Sequence, residues 1–133
     1  MEGVEDRVIP GNAATVQPEM PFAGLQRFGA PLLSKFQVSE MSQNSLLSAV
    51  TLVDTPGVLA GDKQRLGRVY SFPEVCQWWA EHSDLILLFF DAHKLDISDE
   101  LKQVIEVLRP HDDKIRLVLN KADQVNQQEL MRV

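Results

Sequence analysis

The order of apolar and polar residues along this chain predicts strands that alternate with helices. Mostly apolar runs at 49–53, 85–90 and 115–119 have the length of strands. The run 85–90 contains no polar residue, which is typical of a strand covered on both faces in a parallel sheet. Residues 36–41 can form a further strand, antiparallel to 49–53.

Helical periodicity is clearest at 98–109, where apolar residues recur at i, i+3, i+4 and i+7 before Pro110 ends the helix. Another helix is predicted to begin at Pro73, after the capping residue Ser71. One side of that helix carries Val75, Trp78, Trp79 and His82.

Two regions are harder to assign. The run 22–36 has mostly helical spacing, but Pro31 interrupts it, so two short helices are expected. Residues 54–69 contain three glycines and are predicted to form a mobile loop. A last helix is expected to start at Gln127.

This alternation indicates an α/β sandwich with a mostly parallel sheet. At 133 residues the chain is one domain or part of one. Its first segment, 1–21, contains four acidic residues, three prolines and two glycines and is predicted to be an irregular lead-in to an α/β core at 22–133.

Composition narrows the class of function. The net charge of −6 argues against a nucleic-acid partner, because phosphate contacts require clustered Lys and Arg. The single Cys76 excludes an internal disulfide and fits a reducing compartment. No apolar run approaches the roughly 20 residues of a membrane span, and no signal peptide is evident. We therefore expect a cytoplasmic protein that contacts membranes only peripherally.

The sequence Asp54-Thr55-Pro56-Gly57 follows the first apolar run and resembles the DxxG motif of P-loop GTPase-like domains. In such a motif the carboxylate holds Mg²⁺ through water, and the Gly N–H approaches a terminal phosphate oxygen. The alternative is a strand that ends in an ordinary Pro-Gly turn.

The sequence Asn120-Lys121-Ala122-Asp123 follows the last apolar run and resembles the NKxD motif that holds a nucleotide base. Here Asp123 would accept two hydrogen bonds from the base edge, and the stem of Lys121 would lie along the ring. The alternative is a polar strand-to-helix loop. The occurrence of both motifs, each after a strand-like run, favours nucleotide binding.

The phosphate-binding P-loop that should accompany these motifs does not occur in the sequence. A P-loop needs Gly, four residues, Gly, Lys and Ser or Thr. The GxxxxG from Gly24 to Gly29 is followed by Ala30 and Pro31, so it lacks both the cation and the metal-binding hydroxyl. We interpret this spacing as coincidence.

Other candidate residues have simpler interpretations. His93 and Lys94 follow the run 85–90 and could lie near a nucleotide, but a solvated connection, with Asp96 or Ser98 capping the next helix, is favoured. No zinc spacing, nucleophile elbow or catalytic triad is evident.

Longer sequence similarities point to a family. Around the two motifs, and above all in the segment DAHKLDISDE at 91–100, the sequence resembles the EH-domain-containing (EHD) proteins, which are dynamin-related. Residues 10–13, Pro21 and Phe22 resemble the segment after that family's first switch, although Met20 stands where the family usually has Lys.

This resemblance implies a three-layer P-loop GTPase-like sandwich in a membrane-remodelling nucleotide hydrolase of endocytic recycling, located peripherally at endosomal or plasma membranes. It implies ATP or GTP with Mg²⁺ as cofactors; the family prefers ATP. Asp54, Thr55, Pro56 and Gly57 would bind the γ-phosphate side, Asn120, Lys121 and Asp123 the base, and 63–68 would belong to the second switch.

The resemblance also implies a partial G domain without its first strand, P-loop, membrane-binding helices and EH domain. We expect negligible hydrolysis, weak or no nucleotide binding, and self-association through an exposed strand edge. Catalytic residues cannot be assigned from the sequence. Two alternatives are a non-catalytic interaction fragment and a GTPase of translation or ribosome assembly, which the acidic composition disfavours.

Overall fold

The computed structural model describes residues 1–59, 69–93 and 97–125. Its strands are β1 (Arg7–Pro10), β2 (Gln37–Glu40), β3 (Ile86–Asp91) and β4 (Ile115–Asn120). Its α-helices are α1 (Gly11–Ala14), α2 (Gly29–Leu33), α3 (Phe72–Glu81) and α4 (Asp99–Leu108), and 3₁₀ helices cover Ala23–Phe28, Arg109–Lys114 and Ala122–Gln124. This mixture confirms the α/β class. None of the described helices has both the length and the apolar character needed to cross a membrane.

Strands β3 and β4 form a parallel pair, as the apolar runs predicted. The pairing is continuous from Ile86 opposite Ile115 to Asp91 opposite Asn120. Because parallel strands need a crossover connection, α4 lies between them in sequence and packs beside α3. The carboxyl ends of both strands therefore meet at one edge of the sheet.

The prediction that β3 is covered on both faces is wrong. Ile86 and Leu88 pack against α3 and α4, whereas the alternating residues Leu87 and Phe89 are 52% and 58% exposed. The described helices cover one face of the sheet only. Side chains in a strand alternate between faces, so half of this apolar run faces solvent.

The prediction of an irregular segment at 1–21 is also wrong, because it contains β1 and α1. Strand β1 pairs antiparallel with β2, and the Arg7 Nε donates to Glu40 Oε2 at 2.6 Å across the pair. Glu40 is only 8% exposed, so this ion pair neutralises a buried charge. The partner of the predicted strand 36–41 is thus the N-terminal segment and not 49–53.

Residues 49–53 do not form the predicted strand. Ala49 ends a turn, and 50–53 have no regular secondary structure, with Leu52 66% exposed. A strand needs a hydrogen-bonded neighbour, and β1 pairs with β2 while β3 pairs with β4 in the described part of the chain. The described strands consequently form two sheets of two strands, and the expected parallel sheet is represented by β3 and β4.

Helix α3 joins two hydrophobic clusters. Its Val75 and Trp78 belong to a cluster with Leu25, whereas its Phe72 and Ala80 belong to a second cluster. The first cluster also contains Ile9, Ala14, Met20, Phe22, Leu32 and Val38, and the second also contains Val104 and Leu108. Packing on two sides holds α3 as the central helix of the described structure.

The predicted helix boundaries are close to the observed ones. Ser98 caps α4, since its Oγ accepts a hydrogen bond from the Leu101 N–H at 3.2 Å. Ser71 precedes α3, but its side chain makes no capping bond. The two short helices in 22–36 are confirmed, although they meet at Gly29 and not at Pro31. The helix predicted from Gln127 lies outside the described residues, as do Lys94, Asp96 and residues 63–68.

Candidate functional site

The candidate base-binding loop begins where β3 and β4 end together. Asp91 lies opposite Asn120 in the parallel register. The Ala92 N–H donates to the Asn120 carbonyl oxygen at 2.9 Å, which extends the pairing one residue beyond Asp91. Two loops therefore leave the sheet side by side, at the edge where open α/β sheets commonly bind ligands.

Asn120 and Lys121 form a tight turn after β4. The Asn120 Oδ1 accepts a hydrogen bond from the Lys121 N–H at 3.0 Å. Lys121 has φ 59° and ψ 30°, the left-handed conformation that a side chain with a Cβ disfavours. Non-glycine residues in this conformation are enriched at functional sites, where surrounding contacts hold the strain.

The side chain of Lys121 reaches across to the neighbouring loop. Its Nζ lies 3.1 Å from Asp91 Oδ2, and the other carboxylate oxygen, Oδ1, accepts from the His93 N–H at 2.9 Å. The His93 hydrogen bond, followed by that of Lys121, holds the pKa of the Asp91 carboxyl below its ordinary value. Asp91 is therefore a fixed anion that joins the two loops.

Asp123 lies in the first turn of the 3₁₀ helix Ala122–Gln124 and is exposed. An exposed carboxylate next to the strand ends can accept hydrogen bonds from an incoming ligand. The structure thus brings Asn120, Lys121 and Asp123 together on one loop, as their adjacency in the sequence requires, and adds Asp91 beside them.

Residues Asp54, Thr55, Pro56 and Gly57 are exposed and lie in a segment without regular structure. The end of this segment is attached to α4, because the Leu59 N–H donates to Glu100 Oε2 at 2.6 Å. In the described residues, neither Asp54, Thr55 nor Pro56 makes a hydrogen bond or ion pair with the loop 120–123. The strand predicted to carry Asp54 to the sheet edge is not formed, so this motif, unlike the loop 120–123, does not follow a described strand.

The glycines of the GxxxxG spacing have packing roles. A Cβ at Gly24 would lie 2.4 Å from the Nε1 of Trp78, so glycine permits close approach of the indole. Gly29 has φ +76° and connects the 3₁₀ helix Ala23–Phe28 to α2. Both roles support the interpretation that this spacing is not a P-loop.

A protein-only metal cage is not found in the described residues, since no three His, Cys, Asp or Glu side chains converge on one point. The Mg²⁺ contact predicted at Asp54 requires one carboxylate from the protein, so that prediction does not depend on such a cage.

Sequence reasoning missed Asp91 as a member of the site. It considered His93 and Lys94 in this segment and assigned both to a solvated connection. The available signal was positional: Asp91 and Asn120 each end an apolar run, and parallel strands place such ends together.

Comparison with known proteins identifies relatives along the whole chain. A sequence model of the Dynamin family matches residues 12–122. The EH domain-containing protein 1 of Arabidopsis thaliana is 61% identical over all 133 residues, which are 24% of its length. The EH domain-containing protein 1 of Homo sapiens is 51% identical over the same 133 residues, which are 25% of its length. The chain thus spans about a quarter of the length of these relatives.

Proposed function

Because the chain belongs to the dynamin family, we propose that it supplies part of a nucleotide-binding G domain, with the loop 120–123 directed at the base of ATP or GTP. The whole protein hydrolyses the nucleotide with Mg²⁺ and remodels endosomal or plasma membranes in endocytic recycling. Two observations support this proposal: membership of the family and the geometry of the loop 120–123.

The observation that carries the proposal is the ordered base loop at the carboxyl ends of β3 and β4. Asn120 fixes the turn, Lys121 is held by Asp91, and Asp123 remains exposed. The Asp123 carboxylate can accept two hydrogen bonds from a base edge, and the methylene groups of Lys121 offer an apolar surface to a ring. Base recognition is therefore the function that this geometry supports best.

The phosphate side of the site would be formed by Asp54 to Gly57. The exposed Asp54 carboxylate is an oxygen ligand of the kind Mg²⁺ prefers. A Cβ added at Gly57 would meet nothing within 4 Å, so there is open space beside the Cα of this residue. Bound Mg²⁺ would neutralise charge on the phosphates, while Thr55 and Pro56 shape the loop that presents Asp54.

The absence of a P-loop sequence limits what these 133 residues do alone. In phosphoryl transfer the P-loop Lys and its hydroxyl neighbour position the phosphates and Mg²⁺. We expect the chain to bind nucleotide weakly and to hydrolyse it at a negligible rate. The GTPase of translation or ribosome assembly, the alternative that the sequence left open, is disfavoured by the family match.

Nucleotide titration tests the proposal. Fluorescent ATP and GTP analogues with Mg²⁺ would be titrated into this chain and into a fusion that carries a P-loop segment before residue 1. We expect tight binding by the fusion only. In the fusion, Asp123→Ala should change the preference between ATP and GTP. Asp84→Ala is the matched control, because Asp84 is an exposed aspartate just before β3, at the opposite end of the sheet.

A fusion that binds neither nucleotide would refute the proposal and favour a non-catalytic interaction role. The membrane role has its own test, co-sedimentation of the full-length protein with anionic liposomes. A full-length protein that does not co-sediment with liposomes of any lipid composition would contradict the membrane role.

Self-association is a second, non-catalytic candidate, and the exposed face of β3 favours it. Leu87 and Phe89 leave an apolar surface on a sheet of two strands. Association should rise with protein concentration in sedimentation equilibrium and fall in Phe89→Lys, which places a charge on that face. A monomer at all concentrations would exclude this role.

A further inference from the structure

We propose that Asp91 is the positioning residue of the base loop, holding Lys121 where its stem can stack on the ring of a purine nucleotide. This inference rests on the proposed function. It concerns a residue outside the NKxD motif that the geometry connects to that motif.

The backbone brings the two residues together. Asp91 and Asn120 are opposite each other at the last pair of the parallel register, and the Ala92 N–H continues the pairing to the Asn120 carbonyl oxygen. Lys121 follows immediately. The separation between the Asp91 and Lys121 loops is therefore set by the sheet and not by the loops themselves.

The Asp91 carboxylate is oriented before it meets Lys121. Its Oδ1 accepts from the His93 N–H at 2.9 Å, which turns Oδ2 towards the Lys121 Nζ at 3.1 Å. An ion pair between two freely rotating surface chains contributes little. Here one partner is fixed by a backbone donor, so the other loses fewer conformations when it pairs.

Lys121 is constrained at both ends. Its backbone is held in the left-handed conformation by the turn with Asn120, and its ammonium group is held by Asp91. The methylene groups between these two points form a short apolar surface beside exposed Asp123. A side chain ordered before the ligand arrives favours binding, because less conformational entropy is lost on association.

The first test is NMR spectroscopy of the full chain, following the ε-methylene group of Lys121. In the wild-type protein, we expect its two protons to differ in chemical shift because the ammonium group is held on one side. The difference should disappear in Asp91→Ala and decrease in Asp91→Asn, which keeps an acceptor but loses the charge. Asp84→Ala is the control. Equivalent wild-type protons would overturn the proposal.

The second test is a double-mutant cycle on nucleotide affinity in the fusion that carries a P-loop segment, measured from shifts of the loop 120–123 during titration with ATP or GTP and Mg²⁺. Asp91→Ala should weaken binding about three- to tenfold when Lys121 is present and by less than about twofold in Lys121→Ala. A merely structural Asp91 would weaken binding equally in both backgrounds, and that result would refute positioning.

The two tests separate this inference from the proposed function. A fusion that binds no nucleotide, even at millimolar concentration, overturns the base-directed role of Asp91 together with the proposed function. If the fusion binds nucleotide and Asp91→Ala weakens that binding as much in the Lys121→Ala background as in the wild type, only the role of Asp91 is overturned.

Discussion

Substitution of Gly24 by alanine should destabilise the chain, because Trp78 occupies the space of the added methyl group. The new Cβ would lie 2.4 Å from the indole Nε1, 3.0 Å from Cε2 and 3.1 Å from Cζ2. Trp78 is 5% exposed and has little room to retreat. Its ring stacks on His82 with 4.0 Å between centroids and meets Trp79 edge-on at 4.9 Å.

Two opposing effects decide the magnitude. Overpacking of a buried site costs about 1–3 kcal/mol of unfolding free energy. Alanine also restricts the unfolded chain, which stabilises the protein by about 0.4–1 kcal/mol where the backbone tolerates a Cβ. The net destabilisation should be about 0–2.6 kcal/mol, so the comparison with a control that shares the unfolded-chain effect is decisive.

Urea unfolding followed by tryptophan fluorescence and by circular dichroism measures this loss. Gly57→Ala is the matched control, because it makes the same chemical change where the added Cβ meets nothing within 4 Å. Both variants share the effect on the unfolded chain, so Gly24→Ala should be less stable than Gly57→Ala by about 1–3 kcal/mol. Equal stability of the two variants would refute the packing argument.

A second variant tests whether Trp78 is the cause of the lost stability. Trp78→Phe removes the ring atoms nearest to the new methyl group, so Gly24→Ala should cost less in that background. An unchanged cost would mean that Gly24 is needed for a reason unrelated to Trp78.

Three further predictions concern the site and the helix beside it. Lys121→Gly should be more stable than Lys121→Ala by about 0.5–1 kcal/mol in thermal unfolding, since both lose the ion pair but only glycine relieves the left-handed strain; equal stability would contradict the strain. The lowered pKa of Asp91 means that its stabilisation is complete above the ordinary aspartate pKa of about 3.9 and is lost as pH falls through the lower folded-state value. The stability difference between the wild type and Asp91→Asn in urea unfolding should therefore be constant from neutral pH down to about 5 and shrink below about 4. A stability difference that grows as the pH falls would contradict a lowered pKa of Asp91. Ser98→Ala should lower the free energy of unfolding by about 1 kcal/mol in the same assay, because the Leu101 N–H loses its cap, whereas Ser98→Asp should keep most of the wild-type stability. Equal stability of Ser98→Ala and the wild type would show that the cap contributes nothing.

The sequence predicted best the elements whose signals are local. Helix α4 has a complete apolar period, a capping Ser98 and a terminating Pro110, and each signal acts within one helical turn. Strands β3 and β4 were recognised from continuous or nearly continuous apolar runs. Their parallel pairing followed from the helix between them.

The elements that the sequence did not predict depend on distant partners. Residues 49–53 have a strand-like composition, but no strand lies beside them in the residues that the structure describes, so the pattern alone was misleading. Strand β1 has a proline-containing sequence that suggested a loop, yet β2 provides its hydrogen bonds and Glu40 its ion pair with Arg7. Pairing across some thirty residues leaves no periodic signal in either segment.

The same distinction between local and distant signals applies to the candidate site. The residues of the NKxD-like motif could be named from the sequence because they are contiguous. The left-handed conformation of Lys121 and its contact with Asp91 could not, since both arise from the meeting of two loops thirty residues apart.

The base half and the phosphate half of the proposed site differ in the secondary structure that precedes them. Every residue from Ile115 to Asn120 has a partner on β3, so the loop that follows starts from a fixed point. The segment containing Asp54 follows 50–53, which have no strand partner in the described part of the chain, and its far end is joined to α4 by the hydrogen bond from the Leu59 N–H to Glu100. A ligand that contacts Asp123 would meet a loop that starts at paired strand ends, whereas one that contacts Asp54 would meet a segment that no described strand supports. We therefore expect Asp123→Ala to weaken nucleotide binding more than Asp54→Ala does in the chain as it stands, and equal effects would contradict this expectation.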